Sequence, residues 1–145
     1  MAIFLSFRKG MINMGLDSGI EIKRRADLPA AAFAYFDEEW RAKNSYDLGV
    51  AYWRKCWNVR NIIKNILNVK ENNDSYTTMT IDDVDAVITA LCKINKKNWL
   101  DSGSTIWEWE EFRGFQRDNI RNLRRLRYMM KKKPDVFEVY FYDSW

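Results

Sequence analysis

Histidine is missing altogether from the 145 residues, and the chain has only two cysteines, two prolines and six glycines. Without histidine, the side chain that most often moves protons at neutral pH is absent, and so is a frequent zinc ligand. Cys56 and Cys92 have no CxxC companion, so neither a metal centre nor a disulfide is implied, and both read as buried, reduced thiols within predicted helices. No Walker loop, GxSxG or GxGxxG motif occurs, which removes the common phosphate-binding and nucleophile signatures. The sequence implies no cofactor and no catalytic residue, and a non-enzymatic role is the first expectation. Ala2 to Phe7 is apolar but too short to span a bilayer, and no basic segment precedes it as in a signal peptide. A soluble, cytoplasmic protein with no membrane partner is expected.

Aromatic residues are plentiful: seven Trp, seven Tyr and eight Phe within a 47% hydrophobic composition, too many for a disordered chain, because such rings must bury or bind. At 17.4 kDa the chain fits one domain with a proper core. The 24 Lys and Arg exceed the 20 Asp and Glu by four, a mild bias towards anionic partners.

Alternation through Met14-Gly15-Leu16-Asp17 and on to Ile20, Glu21, Ile22 and Lys23 predicts a first strand. Pro29 can open a helix through Phe33, Phe36 and Trp40. From Ser45 to about Val69 the spacing of Tyr52, Cys56, Val59, Ile63 and Ile66 predicts one long amphipathic helix, with Lys70 to Ser75 as its exit loop. Thr80 and Asp83 form a capping box before Ile81, Val84, Val87, Ile88 and Leu91, and Thr105 with Glu108 forms another before a stripe from Phe112 to Met130. Pro134 ends that helix, and Val136 to Tyr142 makes a β-branched and aromatic closing strand. The expected fold is α+β, mainly helical with about four helices, its N- and C-terminal strands pairing as a small antiparallel ribbon.

Three surfaces stand out. Arg54, Trp57 and Asn61 would share one helix face, with Lys55 and Arg60 beside it, and guanidinium groups flanking an indole can stack and also fork onto phosphate or carboxylate. An internal account is the first reading, with Trp57 lying over a neighbouring helix and the arginines paired to acids. Arg117, Arg121, Arg124 and Arg125 form a stripe that could contact nucleic-acid phosphates, or simply complement the negative end of a helix dipole. Ser144 and Trp145 close the chain as part of a packed strand or as one wall of a pocket that Tyr52 could share. The acidic trios Asp82, Asp83, Asp85 and Glu108, Glu110, Glu111 sit at helix starts, where first-turn amides stabilise carboxylates, and do not call for a metal.

Taken together, Met14-Gly15-Leu16-Asp17, Tyr52-Trp53-Arg54-Lys55, Gly103-Ser104-Thr105 and the final Ser144-Trp145 resemble a family of small uncharacterised bacteriophage and prophage proteins. Its members begin Met-Gly-Leu-Asp, carry Tyr-Trp-Arg-Lys in a helix and end in an aromatic strand finishing Ser-Trp. The likeness spans residues 14 to 145, as a single α+β domain, and makes residues 1 to 13 a candidate N-terminal extension. Where the family has Asn and His after that helix motif, this chain has Trp57 and Arg60, and the family's Trp-Phe pair is Ile62-Ile63. The resemblance implies a phage setting and a rough fold; small size, absent catalytic motifs and an aromatic-rich basic surface suit a host-cell partner. The expected function is binding and inhibition of a host protein or ribonucleoprotein, a counter-defence role in the manner of an anti-CRISPR. The alternatives are a binder or sponge for a nucleotide or other anionic ligand, and a nucleic-acid-binding protein. Sequence leaves the oligomeric state open.

Overall fold

Asp17-Ser18-Gly19-Ile20-Glu21-Ile22-Lys23 alternates because each residue along a strand turns to the opposite face. Ile20 and Ile22 are fully buried on one face, whereas Gly19 and Glu21 lie on the other. The computed structural model describes residues 17–23, 47–70, 75–102, 107–134 and 137–144. In chain order these give β1 (Asp17–Lys23), β2 (Asp47–Arg54), α1 (Trp57–Leu67), β3 (Ser75–Met79), α2 (Ile81–Cys92), α3 (Lys96–Ser102), α4 (Trp109–Lys132) and β4 (Val139–Ser144). The architecture is α+β. Residues 1–16, the predicted helix after Pro29, Gly103 to Thr105 and Trp145 lie outside the described residues.

The sheet has the order β2-β1-β4-β3, with every pairing antiparallel. The expected ribbon of first and last strands is thus the centre of a four-stranded sheet, in which Ile20 faces Phe141 and Ile22 faces Val139. Val59 and Ile63 of α1, Val84, Val87, Ile88 and Leu91 of α2, and Phe112, Leu123 and Leu126 of α4 join them in one core. Each such buried side chain contributes about 1.5–3 kcal/mol relative to exposure.

The long helix predicted from Ser45 is corrected by β2. Residues 47–54 pair with β1, and helix begins only at Trp57. A bulge opposite Ile20 and Glu21 places an extra residue in β2, so that neighbours Val50 and Ala51 are both buried. Trp53 enters the core at 0% exposure, while Tyr52, expected on the apolar stripe, is 46% exposed. Tertiary pairing with β1 overrides the helical spacing, which is real only from Cys56 onward. The chain turns the corner at Lys55, which takes the left-handed conformation with φ 53°.

Asn68 ends α1 in the left-handed region, and the Asn68 and Val69 amides close on the Asn65 and Lys64 carbonyls. The predicted exit loop is corrected in part, since Ser75 already belongs to β3, paired along β4. Thr80 caps α2 as its sequence implies: its hydroxyl accepts from the Asp83 amide at 3.1 Å, and the Asp83 carboxylate accepts from the Thr80 amide at 2.8 Å. Glu108 is not the third residue of α4 but its N-cap, with Glu111 accepting from its amide at 3.3 Å. The short α3 was not anticipated. Reciprocal bonds between Asn95 and Asn98 start it, and Trp99 stacks on Phe112 with ring centres 4.0 Å apart. Cys56 is buried at the corner before α1, but Cys92 is exposed at the end of α2, correcting the expectation of two buried thiols. No helix among the described residues is long and apolar enough to cross a membrane.

Candidate functional site

The strand conformation of β2 divides the residues that helical spacing had grouped. Trp53 points inward, its indole N–H donating to the Gln116 side-chain oxygen at 2.6 Å. Tyr52 and Arg54 point to the opposite face, and both reach Asp17 of the neighbouring strand. The Tyr52 hydroxyl donates to Asp17 Oδ1 at 2.7 Å, and Arg54 Nη1 lies 3.5 Å from the same oxygen. Partial burial, and then the bond to Asp17, pushes the Tyr52 phenol up to about 12. Ser144 is the register partner of Asp17 on its other side, so Tyr52, Arg54 and Ser144 border one carboxylate.

Arg60 belongs elsewhere. It lies on α1 at 6% exposure, on the core side of the sheet, and its Nε donates to Asp143 Oδ2 at 2.8 Å. Lys64, one turn on, places Nζ 3.5 Å from the same oxygen, and Asp143 itself has no exposed surface. The Arg60 guanidinium also lies 5.4 Å from the Trp57 ring and bonds to Asn61 at 3.1 Å. The stacked guanidinium and indole therefore exist, but as an internal fastening between α1 and β4. Arg54 and Arg60 are on opposite sides of the sheet, and Lys55 is half-buried at the corner between their elements.

The face of the sheet away from the core carries a tyrosine cluster that the sequence reading missed. Tyr76 meets Tyr140 edge-on at 5.2 Å and Tyr142 at 6.2 Å. The Tyr140 hydroxyl donates to the buried Glu21 carboxylate at 2.8 Å. Burial, and next the charge of Glu21, drives the Tyr142 phenol well above its ordinary value. Gly19 makes room for this ring, since a Cβ there would come within 2.5 Å of it. Period-two spacing of Tyr140 and Tyr142 around Phe141 was the available signal.

Arg117, Arg121, Arg124 and Arg125 do come together on exposed α4. At about 3.6 residues per turn, Arg117, Arg121, Arg124, Tyr128 and Lys131 share one face, with Arg125 and Lys132 on its flank. Tyr128, also missed, sits in the middle of this face at 60% exposure, and Lys132 Nζ lies 5.3 Å from its ring centre. Its spacing of four from Arg124 was the clue. Arg121, Arg124, Arg125, Tyr128 and Met129 line a concavity of about 330 Å³. Arg121 bonds to Asp118 at 3.0 Å yet stays 55% exposed, whereas Arg127 is turned aside to Asp85 at 2.9 Å. Between Arg117 and Lys133 eight cations face the single acid Asp118, an excess of seven in a chain whose whole excess is four. The rest of the molecule is therefore net negative by three.

A second, apolar groove of about 730 Å³ runs between α1 and α2, lined by Ile62, Ile66, Ala86, Ala90 and Ile94 with Asp85 and Lys93 at its rim. Among the described residues, no group of three or more Cys, Asp or Glu is placed to hold a metal ion. Comparison with protein-family models, with curated proteins and with solved structures returned no match.

Proposed function

We propose that this chain is a non-enzymatic accessory protein of the bacteriophage type, which binds a host component and blocks it in a counter-defence role. The outer face of α4 is its contact surface. The observation that carries this proposal is the charge clustering: seven net positive charges gathered between Arg117 and Lys133, along the C-terminal two thirds of one helix and its cap, in a chain whose whole excess is four, around an exposed tyrosine. Such a field steers an anionic partner onto one side of the protein. Arg and Tyr are also the side chains that most often carry binding energy at interfaces. The two phenols with displaced pKa values, Tyr52 and Tyr142, both move up, away from the neutral range in which a proton-transfer group works. The phage setting rests on the four ordered motifs that resemble that family.

The test is affinity capture from phage-infected or defence-bearing lysate, comparing the wild type with an Arg121→Glu, Arg124→Glu, Arg125→Glu variant. One host component should be retained by the wild type, inhibited by it in a purified assay, and lost with the variant. Capture of nothing, or of a component held equally by both proteins, would refute the proposal.

A further inference from the structure

We infer that the outer face of α4 binds single-stranded nucleic acid, with Arg117, Arg121, Arg124 and Lys131 on phosphates and the Tyr128 ring stacked on a base. The inference deepens the proposal above, naming the chemistry that the basic face would recognise in its host component. An acidic protein surface would use the cations, with a tyrosine serving as an anchor sunk in a pocket. Here they surround an exposed aromatic ring, the combination used to hold unpaired nucleotides, because every base has a π-face and every nucleotide a charge. A duplex hides its base faces in its own stack, so only an open strand uses Tyr128.

Dimensions favour a strand over a single nucleotide. Arg117 to Lys132 spans about 22 Å at roughly 1.5 Å rise per residue, longer than one nucleotide can bridge. The concavity of about 330 Å³ that Tyr128 and Met129 share with Arg121, Arg124 and Arg125 is at the lower end of ligand-sized pockets and suits one base. Lys132 Nζ lies 5.3 Å from the Tyr128 ring centre and adds a further cation beside the stacked base. Asp118 is the one acid in the segment, and Arg121 already pairs with it.

Fluorescence anisotropy with short labelled oligothymidine and oligouridine tests this directly. With roughly four phosphates neutralised, the log–log salt slope should be about −3, so that affinity falls about 60-fold between 50 and 200 mM salt. Tyr128→Ala should weaken binding by about 5- to 150-fold with the slope unchanged, and Tyr128→Phe should retain it. Arg121→Ala and Arg124→Ala should each lower the slope by about 0.7. All these side chains are exposed, and unchanged thermal midpoints would show that the variants fold. The inference is overturned by no binding at low salt, by a Tyr128→Ala variant equal to wild type, by a duplex binding as tightly, or by polyglutamate competing as well per charge. If the oligonucleotides fail while the charge-reversed variant still loses a captured host protein, this inference falls and the host-component proposal stands.

Discussion

Asp143 joins two helical cations to the closing strand. It has no exposed surface and holds Arg60 at 2.8 Å and Lys64 at 3.5 Å. Moving such a cluster out of water is costly, so its net contribution to stability is small, but removing one member leaves charges buried without compensation. Asp143→Asn keeps the shape and removes the negative charge. It is expected to cost about 3–5 kcal/mol in urea unfolding, and an unchanged midpoint would show that this carboxylate does not hold the two cations. Arg60 and Asp143 are 83 positions apart, which is why sequence alone could not name the acid that holds Arg60 and left an outside ligand open. Tyr52 gives a second residue-scale expectation. Its phenol rises from an ordinary value near 10 to about 12, so the folded state favours the protonated form. The stability this contributes is fully present below pH 10 and lost as pH rises towards 12, because the unfolded chain gives up its proton first. The thermal midpoint should fall over that window, and Tyr52→Phe should make the fall shallower.

Among the elements, β2 was the least legible and α4 the most productive. As an edge strand, β2 presents backbone groups that would otherwise invite another chain. α4 covers them. The Asn119 amide donates to the Tyr52 carbonyl at 2.9 Å and accepts from the Tyr52 amide at 3.3 Å, much as another strand would, and Asn122 donates to the Val50 carbonyl at 3.1 Å. Asn119→Ala therefore leaves two backbone groups unpaired and should cost about 1–3 kcal/mol, read from chemical denaturation. If the loss is negligible, water replaces the amide and α4 does not close this edge. One helix thus serves the fold with one face and leaves the other, cationic face exposed. Helix α2 was readable because its cap and its stripe both lie within a dozen neighbouring residues. β2 was misread because Tyr52 happens to continue the true helical period of Val59, Ile63 and Ile66, while the partner that makes 47–54 a strand lies in β1. Short elements escaped for a related reason: α3 and β3 hold too few residues for a period to show.

For the whole molecule, the order β2-β1-β4-β3 unites the earliest and latest described segments at the centre of the sheet. Every helix is enclosed between strands that pair across the chain, so the fold depends on contacts distant in sequence and should assemble more slowly than a helical bundle of this size. The same topology leaves one face of α4 at the surface with Arg117, Arg121, Arg124 and Arg125 exposed. Period, caps and charge spacing are local and act within a few residues, so the α+β class, the two central strands, helices α2 and α4 and the basic stripe were legible in the chain alone. That Tyr52-Trp53-Arg54 is a strand and that Arg60 turns inward to Asp143 were set by contacts across the fold. Strand pairing and buried ion pairs join residues far apart along the chain, and their energies outweigh the local preferences that spacing records.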